Sequence, residues 1–288
     1  MVTFLIQQIR RRLLDRMVLR PTRHPIEFAP KTRVVFDGPV GDLECFFQHS
    51  VSPQPGSPAE NDELRSPDLI VLKFPGTQGR AERATSFPAD ALPGVHSEIW
   101  TCNPPGYGQS HGRASLRTLG ASAVAFTNHV LDRHASLHGA EKPPTIWLTG
   151  NSLGCVLAMY VAAHKPQVNG IILRNPPPLI DVVKRAAARY PLGKWTAPIA
   201  ESLCDTMNLM VTAPQVTCPA VLIQSLADEL VPPMMQNEVV SAYSGEITIV
   251  PLAGVSHSGM PNASQTQAIH TAITELWQKT RIVGVPSS

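Results

Sequence analysis

No stretch of the chain approaches the roughly 18 to 20 consecutive apolar residues needed to cross a bilayer, and the N-terminal segment has no apolar core followed by a small-residue cleavage site. A membrane span and a secretory leader are therefore not expected. Charge is also scarce, at 16% of residues with a net value of +2, and mean hydropathy is near zero. That balance suits neither a disordered chain nor a protein that coats nucleic acid, and basic residues interleaved with aromatics are missing. Five cysteines (Cys45, Cys102, Cys155, Cys204 and Cys218) are odd in number and contain no C-x-x-C pair, so neither a disulfide framework nor a zinc site is signalled. No H-E-x-x-H or similar ligand spacing occurs either. Free thiols favour a reducing, cytoplasmic setting.

What is present is a chain of 288 residues, 43% hydrophobic, long enough for one α/β domain of ordinary size. Its first 24 residues stand apart. Phe4, Leu5, Ile6, Ile9, Leu13, Met17 and Val18 recur at helical spacing among Arg10, Arg11, Arg12, Arg16 and Arg20, and the segment carries +5 against −3 for the remainder. Such a helix either lies on an anionic membrane surface or packs its apolar stripe on the domain or on a second subunit. The rest, 25–288, reads as the main domain.

Within it, Arg33 to Phe36 and Leu43 to His49 flank turn residues and predict an antiparallel hairpin. Segment 50–67, rich in Ser, Pro and acids, predicts a mobile surface loop. Six short apolar runs follow: Leu69 to Phe74, Glu98 to Cys102, Thr145 to Thr149, Ile171 to Arg174, Ala220 to Gln224 and Ile247 to Pro251. Runs this short and this apolar suit strands buried on both faces. Between them Ser115 to Leu137, Leu153 to His164, Met234 to Tyr243 and Ser264 to Thr280 have amphipathic helical composition. The alternation predicts a mostly parallel sheet flanked by helices. The stretch 175–218, with helices expected at Leu179 to Tyr190 and Trp195 to Leu209, exceeds a simple crossover and is read as a small helical lid between strands six and seven.

Gly150-Asn151-Ser152-Leu153-Gly154 sits between a predicted strand and a predicted helix. A sharp strand-to-helix turn would present Ser152 Oγ at the sheet edge, with glycines where side chains would collide. A serine hydroxyl needs a base within hydrogen-bond reach and a group that orients the base. Asp228, on the loop after Ala220 to Gln224, and His257, in the glycine-bracketed loop after the last predicted strand, occupy those places in the required chain order. Glu229 is the alternative acid. Backbone N–H groups of Leu153 and of Thr77, in Pro75-Gly76-Thr77-Gln78-Gly79, are the expected oxyanion donors.

On these residues the chain resembles the α/β-hydrolase superfamily over roughly residues 30–282, with the short-lidded esterase and serine aminopeptidase branches nearest in pattern. Asn103-Pro104-Pro105-Gly106-Tyr107-Gly108-Gln109-Ser110 is similar to that family's Gly-x-Gly-x-Ser loop, and Asp228-x-x-Val231-Pro232 and Gly254-x-x-His257 also match. The chain departs at Pro75, where His is common, at Asn151, where His, Gln or Arg is common, and at Cys155, where Gly is frequent. The resemblance implies an eight-stranded α/β-hydrolase fold and cleavage of an ester, amide or thioester in a small or lipid-like acyl substrate, without metal or organic cofactor. An aminopeptidase or acyltransferase would use the same serine, with Glu201 or Asp205 as candidates for holding an α-amino group, and a non-catalytic binding protein would have no need of the set. Met234 and Met235 are candidates for an apolar pocket.

Overall fold

The computed structural model describes residues 2–28, 31–50, 65–139, 143–190 and 193–281. Most of the expected mobile loop, 51–64, lies outside them. Helix α1 (Val2–Val18) leads into an antiparallel hairpin of β1 (Thr32–Phe36) and β2 (Leu43–Ser50), in which Val34 stands opposite Cys45. Then follow β3 (Leu69–Phe74), β4 (Ser97–Asn103), α2 (Leu116–His138), β5 (Thr145–Asn151), α3 (Leu153–His164) and β6 (Gly170–Arg174). After the insertion described below come β7 (Ala220–Ser225), a helix at Pro233–Ala242, β8 (Ile247–Leu252) and a final helix at Ala263–Thr280. The eight strands form one sheet in the order β1-β2-β4-β3-β5-β6-β7-β8, antiparallel only where β2 meets its two neighbours. This is the mostly parallel sheet expected from the apolar runs, with the eight strands that the resemblance implies.

The alternation of side chains along each central strand divides the core in two. Ile70, Leu72 and Phe74 of β3, Ile146 and Leu148 of β5, Ile171 and Leu173 of β6 and Leu222 of β7 share one cluster with α2 and α3. Leu69, Val71, Trp147, Ile172, Val221 and Ile223 point the other way, onto Ile269, Ile273 and Leu276 of the last helix. Most positions are thus buried and the runs are mainly apolar, while Lys73 of β3 and Arg174 of β6, near the strand ends, are half-buried. Trp147 Nε1 donates to Thr280 Oγ1 at 2.9 Å and ties the last helix to β5.

The insertion between β6 and β7 departs from expectation in its second half. Helix α4 (Leu179–Ala187) buries Leu179, Val182 and Val183, as an amphipathic helix should. The single helix expected over Trp195 to Leu209 is instead broken into a 3-10 turn (Gly193–Thr196), α5 (Ala197–Ala200), a second 3-10 turn (Asp205–Met207) and α6 (Leu209–Thr212). Cys204 and Asn208 both adopt extended backbone, and the Asn208 side chain accepts from the Met210 amide, starting a new helix where the old one would have continued. Each break turns another apolar residue inward, and Ala200, Met207 and Leu209 are buried in the main core. Tertiary burial overrides a helix-forming composition here. The two remaining helices are numbered α7 (Pro233–Ala242) and α8 (Ala263–Thr280).

The five cysteines are free; Cys45, Cys102 and Cys155 are buried, and Cys204 and Cys218 are half-buried. Cys45 and Cys102 face each other across β2 and β4. Among the described residues no helix is long and apolar enough to cross a membrane.

Candidate active site

Ser152 sits at the junction of β5 and α3 with φ of +51° and ψ of −118°, a backbone conformation unfavourable for any residue with a Cβ. The strain persists because the turn is fixed on both sides. Ser152 N–H donates to the Arg174 carbonyl at 2.8 Å, and the Cys155 thiol donates to the Gly150 and Arg174 carbonyls at 3.1 and 3.2 Å. A Cβ on Gly150 would lie 2.5 Å from the backbone of Cys155, and one on Gly154 would overlap the Phe74 carbonyl. Both glycines of the motif are therefore needed for chain packing. The departure at Cys155 places a small donor where the β5 and β6 ends converge, and burial keeps that thiol protonated.

His257 Nε2 lies 3.1 Å from Ser152 Oγ, and His257 Nδ1 lies 2.6 Å from Asp228 Oδ2. Asp228 is buried, and its other oxygen, Oδ1, accepts the amides of Leu230 at 2.9 Å and Val231 at 2.8 Å. An ionised carboxylate only accepts, so the imidazole nitrogen facing it carries the proton, and Nε2 presents its lone pair to the serine hydroxyl. Glu229 is exposed beside the loop. Three residues separated by 29 and 105 positions in sequence thus form one hydrogen-bonded line, from a buried charge to an accessible hydroxyl. Such a line can take the serine proton as Oγ attacks a carbonyl carbon.

Negative charge on an attacked carbonyl needs donors on the far side of Oγ. The Thr77 and Leu153 amides donate to no protein acceptor among the described residues. The turn carrying Thr77 approaches closely because Gly76 has no side chain: a Cβ there would lie 3.2 Å from the Asn151 carbonyl and 3.7 Å from the Ser152 Cβ. Leu153 begins α3, whose N-terminal end adds a favourable dipole.

Three residues that sequence reasoning did not single out hold these parts together. Asn175, fully buried with φ of +53°, accepts the Ser225 amide at 3.0 Å and donates to the His257 carbonyl at 3.2 Å. Arg174 bonds the Gly259 carbonyl through its guanidinium while its own carbonyl anchors Ser152. Burial lowers the Arg174 pKa and the nearby Asp228 charge opposes that shift. Tyr107, buried in the Gly-Tyr-Gly loop, donates its hydroxyl to the Thr77 carbonyl at 2.9 Å and accepts the Arg20 amide at 3.3 Å. The advance signal was position: Arg174 ends β6, Asn175 follows it, and Tyr107 lies between two glycines.

Other candidates fall elsewhere. Glu201 pairs with Lys184 at 2.8 Å on the exposed side of the insertion, and Asp205 is exposed. Met234 is exposed and Met235 half-buried; Leu226, Leu230 and Met260, close in sequence to Asp228 or His257, are also exposed. Among the described residues no cluster of three or more His, Cys, Asp or Glu is arranged to hold a metal ion.

No protein-family profile matches the chain. Two uncharacterized proteins of Mycobacterium tuberculosis, from strains CDC 1551 / Oshkosh and H37Rv, are each 26% identical to it over 196 residues, 68% of this chain and 65% of theirs. The match thus spans less than two thirds of those relatives. Among solved structures, an esterase of Pyrococcus furiosus superposes with a TM-score of 0.65 at 14% identity, covering 91% of this chain and 97% of that one. An acylaminoacyl peptidase of Pyrococcus horikoshii gives 0.65 at 14%, covering 91% and 44%. A Xanthomonas campestris protein described as an α/β serine hydrolase without lid gives 0.51 at 17%, covering 92% and 100%. These likenesses establish the fold: the chain has the α/β-hydrolase fold.

Proposed function

We propose that the chain is a serine hydrolase that cleaves a carboxylic ester through an acyl-enzyme intermediate, with Ser152 as nucleophile, His257 as general base and Asp228 as the residue that orients it. The observation that carries this reading is the continuous hydrogen-bonded line from Asp228 Oδ2 through His257 to Ser152 Oγ. In the first step Oγ bonds to the substrate carbonyl carbon as its proton passes to His257 Nε2. The carbonyl oxygen takes the negative charge and receives hydrogen bonds from the Thr77 and Leu153 amides. Collapse expels the alcohol, which takes the proton from Nε2. Water then attacks the acyl-serine by the same route, releasing the acid and restoring the hydroxyl.

Exposed Leu226, Leu230, Met234 and Met260, close in sequence to Asp228 or His257, are the candidates for meeting an apolar acyl group. The helical insertion leaves β6 at Asn175, next to the nucleophile turn, which supports a lid role for it. Engagement of Glu201 by Lys184 weighs against an aminopeptidase that would use that carboxylate for a substrate amine. Free cysteines and the buried state of three of them suit a cytoplasmic setting. The test is labelling by a fluorophosphonate probe together with hydrolysis of p-nitrophenyl esters. The parent labels and turns over, and Ser152→Ala does neither; a folded parent that never labels overturns the reading.

A further inference from the structure

Helix α1 is held to the body along one side. Leu14 and Leu19 are buried, Val18 is half-buried, and Asp15 Oδ1 accepts the Leu116 amide at 2.8 Å, capping the start of α2. At about 100° per residue the opposite side carries Ile6, Ile9, Leu13 and Met17, spaced by three or four. These four are between 37% and 50% exposed, and Phe4 and Leu5 near the helix start are more so. The stripe runs about 17 Å along the helix at 1.5 Å per residue. Arg12 and Arg16 border it on one edge and Arg10 on the other, all exposed. Beyond Arg16 the helix ends at an open cleft of about 730 Å³ lined by Arg16, Arg20, Arg83 and Arg113, with Asp15 as the one carboxylate. None of these four arginines pairs with a carboxylate among the described residues.

We propose that this outward face of α1 docks on an anionic phospholipid surface, the helix lying in the plane of the interface. Ile6, Ile9, Leu13 and Met17 would enter the headgroup–acyl boundary, and the arginine stems would follow the apolar surface while their guanidinium groups bond lipid phosphates. Charge selects this occupant over a second copy of the chain. A two-fold contact through the stripe would place Arg10, Arg12 and Arg16 against the same residues of the partner, with +5 facing +5 over residues 1–24. An anionic bilayer supplies the opposite charge and an apolar phase together. Docking also places the site, since Arg20, at the end of the docked segment, reaches the Thr77 turn through the Tyr107 hydroxyl.

The test is co-sedimentation of the full chain with vesicles of phosphatidylcholine alone and with about equal parts phosphatidylglycerol. The expected result is binding to the anionic vesicles only, released at high salt and lost in Ile9→Glu/Leu13→Glu. Arg12→Gln and Arg16→Gln each weaken it by about fivefold. Circular dichroism and the turnover of a short soluble ester stay at parent levels in the double variant, which separates this inference from the proposed hydrolase activity. Failure to bind anionic vesicles, equal binding to neutral ones, or undiminished binding by the double variant overturns the proposal. So does a parent dimer, seen in equilibrium sedimentation, that the double variant converts to monomer.

Discussion

Asn175 joins His257 to the sheet: its side chain accepts the Ser225 amide at the end of β7 and donates to the His257 carbonyl, with no part of it exposed. Two loops that arise from different strands are thereby held at one spacing. Asn175→Ala removes both bonds and leaves an alanine at positive φ, so the expected loss of stability is about 2 to 4 kcal/mol. In the proposed mechanism kcat falls with little change in KM. Urea unfolding and steady-state kinetics on a p-nitrophenyl ester measure the two effects, and an unchanged kcat in a folded variant would deny Asn175 its positioning role.

Asp228 and Glu229 are neighbours in sequence, yet only Asp228 meets the imidazole. Asp228→Asn is expected to lower kcat by about 10⁴-fold, because an amide there favours the wrong histidine tautomer. Glu229→Gln, at an exposed position, should leave turnover within about twofold of the parent by the same reasoning. The reverse pattern would transfer the role to Glu229.

Tyr107→Phe frees the Thr77 carbonyl without changing the ring that fills the core. The proposed oxyanion amide then loses its anchor but not its place, so kcat drops by less than the roughly 10²-fold that loss of a donor costs. KM should hold. A fall in affinity for short esters with kcat intact would assign Tyr107 to substrate binding instead.

Asn103 is the hub of a buried network behind the Thr77 turn. Its Nδ2 donates to Glu44 Oε2 at 2.8 Å and to Glu82 Oε2 at 2.9 Å, and its Oδ1 accepts the Ala81 amide. Burial by itself would raise the Glu82 pKa, but hydrogen bonds from Arg80 and Asn103 outweigh it and hold the carboxyl below its ordinary value. A depressed carboxyl stabilises the fold above its unfolded pKa of about 4.3, and that stability is lost as pH falls through the folded value. Asn103→Leu should raise the Glu82 pKa, move the acid-unfolding midpoint to higher pH and cost about 1 to 3 kcal/mol at neutral pH. An acid titration followed by circular dichroism, with the midpoint unmoved, would count against this network.

Burial and the Glu44 charge push the Cys45 thiol up to about 12, and burial raises Cys102 and Cys155 as well. Below those values the three thiols stay protonated and unreactive. Half-buried Cys204 and Cys218 should therefore label with a thiol reagent before the buried thiols, and Cys45, Cys102 and Cys155 only on unfolding; mass spectrometry of the native protein reads the order.

The sheet was legible because its central strands bury most positions on both faces, which leaves short, mainly apolar runs, and every such run is a strand within one or two residues of its expected ends. Ser152 and His257 stood out as candidates because a strand-to-helix turn between glycines and a glycine-bracketed loop leave local marks in the chain. The segment 195–209 departs from the single helix its composition suggests, because that composition says nothing of which residues the core demands, and Ala200, Met207 and Leu209 are buried there.

Local pattern by itself therefore determined the strands, the hairpin and the positions able to serve as nucleophile and base. Tertiary structure set Asp228, the acid favoured from its place in the sequence, against the imidazole, and it alone gave Asn175, Arg174 and Tyr107 their places and turned the apolar stripe of α1 outward. The reason is physical: Asn175, Arg174 and Tyr107 act through individual hydrogen bonds to backbone groups as many as 87 positions away, and a carbonyl or amide is the same in every residue. Composition cannot record such a contact. Only the packing that brings the loops together selects which side chain reaches it.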